Sequence, residues 1–196
     1  MRKAGISLSL LVLVAMVGIA VAGRLPSSAP EKLANAAAMQ APQPGPEMVR
    51  LQKFYLGTWD YTETYPKGGF APDGGVNTGV YKSELGPGGF SLINHFHSQG
   101  PVGDFEGVLI MTWDAQEKAY KSYIFGNDFP GAVVETGNFE GDALVFRGGM
   151  TVRETKISMR NSTRIGDDGK MSSEEFMAMG GAPETPVVRV LATRRP

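Results

Sequence analysis

The chain has 196 residues, 42% of them hydrophobic, a formal net charge of −1 from 19 Lys and Arg against 20 Asp and Glu, and no cysteine. The mixed charge excludes a dominant nucleic-acid surface, so no nucleic-acid partner is expected. The absence of cysteine excludes disulfide scaffolds, thiolate metal sites and cysteine nucleophiles.

Met1-Arg2-Lys3 is basic, Ile6 to Val21 is an apolar run, and Ala20-Val21-Ala22 supplies a small-residue cleavage pattern. Residues 1–22 are therefore expected to be a signal peptide, with export to a bacterial periplasm or beyond and no stable membrane span after cleavage. The alternative is an uncleaved membrane anchor, because the run approaches the roughly 20 residues that a spanning helix needs. With no cysteine after the run, a lipid-modified cleavage site is excluded. About 170 residues then remain, enough for one domain with a sizeable core.

Residues 23–46 carry Pro26, Pro30, Pro42, Pro44 and Pro46 in an Ala-rich, polar setting and read as a flexible tether, with a transient helix conceivable over 31–40. The folded domain is expected over 47–196. Its first element is a short amphipathic helix at 47–56, since Met48, Leu51, Phe54 and Tyr55 recur at three- and four-residue spacings behind Pro46.

From Gly57 the period changes to two. Val-, Ile-, Thr- and aromatic-rich segments at 57–65, 76–85, 89–98, 105–113, 119–126, 131–139, 143–149, 152–165, 170–179 and 187–194 read as consecutive antiparallel strands. Between them lie connectors with turn chemistry, such as Asp114 to Lys118, Glu140-Gly141-Asp142 and Asp167-Asp168-Gly169-Lys170. The longer Lys67–Gly75 segment is the best candidate for a loop at a cavity mouth. So many short-linked strands must curl, close or split into layers. An all-β antiparallel up-and-down barrel of about eight to ten strands behind a short helix is expected, with a two-sheet sandwich as the alternative.

A short helix, then Gly57-Thr58-Trp59 entering the first strand of a meander, resembles the lipocalin and calycin pattern. That resemblance implies that Trp59 closes one barrel end, with a basic residue of the last strand, Arg189 or Arg194, lying across its indole. More specifically, Leu51 through Gly57-Thr58-Trp59, then Leu85 to Phe90, Phe105-Glu106-Gly107 and Trp113-Asp114, resemble a bacterial family of domains of unknown function, the one numbered fifteen seventy-nine. The resemblance spans about residues 47–195 and implies a fold but no chemistry.

His95 and His97 stand at i and i+2 and share one strand face, where both imidazoles could meet one ligand or metal. Carboxylates such as Glu84, Asp104 or Glu106 would have to complete a metal shell, and the plain reading is two surface histidines, so no metal site is assigned. Glu63 interrupts the aromatic face of Trp59 and Tyr61, where burial would raise its pKa and suit it to proton transfer or ligand anchoring; the plain alternative is a solvated rim position. There is no G-x-S-x-G elbow and no phosphate loop, and nothing calls for a cofactor. Met150, Met159, Met171, Met177 and Met179 read as core filler or, facing inward, as an adaptable apolar lining.

The leading expectation is a non-catalytic, exported barrel holding a small apolar or amphipathic ligand. Tyr61, Met111, Trp113 and Phe125 would line it, and Glu63, His95 and His97 would orient a polar end. The alternatives are an envelope hydrolase or isomerase using His95, His97 and a carboxylate, and an interaction module with a filled barrel.

Overall fold

The structure, a computed structural model, describes residues 42–68 and 71–196. The expected signal peptide, residues 23–41 of the expected tether and the helix considered at 31–40 lie outside these residues, as do Gly69 and Phe70 of the first long loop.

Helix α1, Pro46–Tyr55, starts on Pro46, whose missing N–H costs nothing in a first turn, and carries Glu47 at its positive end and Lys53 at its negative end. Met48, Leu51 and Tyr55 are buried from it, as the spacing requires. Ten strands follow: β1 Gly57–Tyr65, β2 Gly75–Leu85, β3 Ser91–Gly100, β4 Gly103–Asp114, β5 Ala119–Gly126, β6 Val133–Glu140, β7 Ala143–Val152, β8 Thr155–Ile165, β9 Met171–Met179 and β10 Thr185–Arg194. Each pairs antiparallel with the next, and β1 also pairs with β10, so the sheet closes into an up-and-down barrel. Closure removes both exposed edges, which is why a meander of this length is stable without a second layer.

Two boundaries depart from the sequence expectation. A 3-10 turn at Pro87–Gly89 delays β3 to Ser91. The expected long strand at 152–165 is broken by a two-residue hairpin, in which Arg153 and Glu154 both adopt positive φ, 45° and 69°. That is the backbone sign a type I′ turn demands at both central positions, normally met by Asn-Gly. Arg-Glu carries no such signal.

α1 precedes β1, so it sits at the end where β1 begins, and β1 ends at Tyr65 on the far side. The helix caps its end of the barrel: Tyr120 Oη donates to Glu47 O at 2.9 Å, Gln52 Nε2 to Gly89 O at 3.0 Å, and the Arg50 guanidinium lies 3.5 Å from the Phe139 ring centroid. The long loop after β1 therefore lies at the opposite end, with the short β3–β4 and β7–β8 turns. Among the described residues no helix is long and apolar enough to cross a membrane.

Strand glycines shape the wall. Gly79 of β2 is directly opposite Tyr61, whose ring covers it: a Cβ there would lie 2.6 Å from Tyr61 Cζ. Phe96 covers Gly107 and Phe146 covers Gly137 in the same manner. An aromatic ring thus occupies the space that the opposite residue gives up, which keeps a strand glycine from opening a void.

Candidate functional site: a carboxylate cluster inside the barrel

Alternation and register decide which side chains enter the barrel. On β1 these are Trp59, Tyr61, Glu63 and Tyr65. Opposite Gly57, Trp59, Tyr61 and Glu63 stand Ser83, Tyr81, Gly79 and Asn77 of β2, and opposite Ser83, Tyr81 and Gly79 stand Asn94, Phe96 and Ser98 of β3. Around the rest of the wall Met111, Ser122, Glu135, Asn161, Ser173 and Glu175 also turn inward.

The helix end is closed as the G-x-W pattern implies. Trp59 is fully buried and its Nε1 donates to Tyr55 O at 2.9 Å. Arg194, directly opposite Trp59 on β10, places its guanidinium 4.5 Å from the indole centroid and donates from Nη2 to Lys53 O and Phe54 O, at 3.2 and 3.3 Å. Those carbonyls belong to the last turn of α1, so one cation ties the last strand, the tryptophan and the helix C-terminus together. Gly57 has φ 117°, a conformation that favours glycine, and so lets the chain turn from helix into strand beneath Arg194. Arg189, the other arginine considered, is on the opposite face and forms an exposed pair with Glu174 at 2.6 Å.

The two halves of the interior differ. At the helix end Trp59, Leu92, Met111 and Leu144 are at most 1% exposed. In the far half the inward-facing Glu63, Phe105, Ile124, Met159, Glu175 and Met177 are only partly buried. Asn77, Ser98 and Val133 of the same half are at most 1% exposed, so the partial exposure falls on positions toward the open rim.

Three carboxylates point into the barrel interior. Glu63 Oε2 accepts from Tyr65 Oη at 2.9 Å and from Ser98 Oγ at 2.6 Å. Glu135, only 4% exposed, is directly opposite Ser122 and hydrogen-bonded by it; burial outweighs that bond and pushes its carboxyl up to about 7. Glu175 is pushed up to about 8, first by burial and then by the charges of Glu135, Glu63 and Asp128. Burial and the Glu63 charge also raise the Tyr61 and Tyr65 phenols well above their ordinary value. Burial is the first cause of each shift, and like charges add to it at Glu175, Tyr61 and Tyr65. Three further buried polar atoms lack a partner: Tyr81 Oη, Ser83 Oγ and Asn94 Oδ1.

Of the residues expected to hold a ligand, Tyr61 and Glu63 point into the half of the interior away from α1. Met111 is inward but locked in the packed half, and Trp113 packs edge-on against Tyr120 at 4.9 Å, beside α1. His95, His97 and Phe125 require correction. His95 and His97 do share a face, but it is the outer one, because Leu92, Asn94, Phe96 and Ser98 take the inner. His97 Nε2 is 2.8 Å from Asp104 Oδ1 in a pair exposed on both sides. Phe125 is 46% exposed, because Tyr120, Ser122 and Ile124 hold the inward parity of β5. An active site built on the two histidines inside the barrel is therefore not the arrangement found. Among the described residues no three His, Cys, Asp or Glu side chains are placed to hold a metal ion.

Glu135 and Glu175 were missed in the sequence. A signal existed: Val133-Val134-Glu135 places a carboxylate on the parity of Val133, and Ser173 and Glu175 share the parity of Met171 and Met177. An acidic residue on an otherwise apolar strand face is the mark of a buried charge.

The fold defines a ten-stranded closed up-and-down barrel with a short helix at one end. No protein-family model matches the chain, and no curated protein does. Among solved structures it is similar to Rv2717c from M. tuberculosis, with a TM-score of 0.54 and 14% sequence identity, over 79% of this chain and 100% of that one. At that identity the likeness concerns the fold alone.

Proposed function

We propose that the domain is an exported, lipocalin-like binding protein of the bacterial envelope, carried out by residues 1–22, tethered by 23–46, and holding a small amphipathic molecule in the half of its barrel away from the helix. The observation that carries this reading is the convergence of polar groups, Glu63, Ser98, Glu135 and Glu175, on the interior of a closed barrel. Met159 and Met177 offer a flexible apolar wall for the hydrocarbon part of such a ligand, while Glu63, Tyr61 and Tyr65 offer polar anchors. The closure by Gly57, Trp59 and Arg194 fits a lipocalin-like carrier, in which one end is sealed and cargo enters from the other. The resemblance to family fifteen seventy-nine belongs to the same reading.

Native mass spectrometry of the protein purified from its host envelope, with denaturing mass spectrometry of the same sample, tests this. An extra mass that is lost on denaturation is the expected result. A bare protein mass from several preparations would remove the carrier reading in favour of a surface role. A groove of about 700 Å³ across the outer faces of β10, β1, β2 and β3, where Val80 and Leu191 are exposed, is the surface that role would use.

A further inference from the structure

We infer that the ligand carries a positively charged nitrogen, an amine or related organic cation, which seats among Glu63, Glu135 and Glu175 while its apolar portion lies against the methionines. This rests on the reading of the barrel as a binding site and names the chemistry of what it binds.

The three carboxylates come from β1, β6 and β9, which are not neighbours in the wall. All three point into the same interior, and the charges of both others raise Glu175. Among the described residues no lysine or arginine turns inward in this half. The inward Arg194 is at the helix end, held by Trp59 and two helix carbonyls. Ionising these groups without a cation is costly, which is why Glu135 and Glu175 hold their protons up to about 7 and 8. A cation arriving with the ligand relieves this.

Glu63 Oε2 accepts from the hydroxyls of Tyr65 and Ser98, neutral donors that leave its charge in place. An ammonium group supplies charge and three donors together. Aromatic faces on the same wall, Tyr61 and Phe105, suit a cation as well. A metal ion is a poorer match, since it needs its ligands drawn tightly around one point, whereas an organic cation spreads its contacts over a wider cage.

The test uses the purified full chain and three probes of equal chain length, decylamine, decanol and decanoate, titrated by calorimetry at pH 5.5 and 8.5. The amine stays charged at both values, so any change with pH reports on the protein. The groups facing it are Glu63, Glu135, Glu175, Asp128, Tyr61 and Tyr65. Decylamine is expected to bind about 10-fold tighter than decanol at pH 8.5, with decanoate weakest, and to lose about 10-fold at pH 5.5 as Glu135 and Glu175 take up protons. E135Q and E175Q keep side-chain shape and should each lower amine affinity about 10-fold while leaving decanol unchanged; thermal unfolding confirms that both variants fold. Decanol or decanoate binding as tightly as the amine overturns the charge inference and leaves the binding barrel standing. No binding by any probe, together with a bare mass from the host, overturns both.

Discussion

Trp59 illustrates how a short motif becomes a structural joint. Its indole is sealed by Arg194, and the same guanidinium satisfies two carbonyls of the last helical turn. Removing it leaves those carbonyls unpaired beside a bare ring, so R194A is expected to cost about 1–3 kcal/mol in urea unfolding. R189A breaks only an exposed pair with Glu174 and should change stability by less than about 0.5 kcal/mol. Equal effects of the two would contradict this assignment. The sequence left the two arginines undecided because they differ in strand parity, and parity is settled only by the register that puts Arg194 opposite Trp59. Gly79 is a second residue whose role is invisible until its partner is known. G79A would drive a methyl into the Tyr61 ring and the backbone of His97, and is expected to destabilise by about 1–3 kcal/mol on thermal or chemical denaturation.

At the scale of elements, the strands follow from alternation and the turns from local chemistry, and both fail where a residue works against its type. Arg153 and Glu154 hold positive φ although neither favours it, so the β7–β8 hairpin carries strain. E154G should relieve part of it and raise the unfolding free energy by about 0.5–1 kcal/mol, a gain that E154A should not reproduce. No gain from glycine would mean that other contacts of Glu154 matter more than its backbone. The β3 segment Asn94-His95-Phe96-His97 shows the other kind of ambiguity. Alternation predicts correctly that the histidines share a face, but an alternating strand is symmetric to exchange of its faces. The barrel breaks the symmetry by burying Leu92, Asn94 and Ser98.

For the whole molecule, the interior carboxylates predict how stability varies with pH. Folded Glu135 and Glu175 titrate near 7 and 8, against about 4.3 in an unfolded chain. Between those values the folded state holds more protons than the unfolded one, so stability falls as pH rises from about 4.5 to 8.5. The loss is on the order of a few kcal/mol, reduced by the water that reaches Glu175. Thermal unfolding should therefore give a higher Tm at pH 5.5 than at pH 8.5, and E175Q should flatten much of that slope. A Tm that rises over this interval would show that the two groups are not buried as acids. A bound cation reverses the balance, so the stabilisation by an amine should be largest on the alkaline side.

The sequence by itself determined the class of architecture: period-two alternation and glycine- or aspartate-bearing turns specify short antiparallel strands, and a long meander of them closes to hide its edges. It also identified the short helix before the first strand, because helical spacing depends on residues close along the chain; the sealing tryptophan came only through resemblance, since its partner Arg194 is remote in sequence. Only the tertiary structure decided which face of each strand lies inside. It turned Glu63, Glu135 and Glu175, scattered over three separate strands, into one barrel interior. The reason is geometric: a strand's own residues set its period, but its orientation in a closed wall depends on the free energy of burying all ten strands at once.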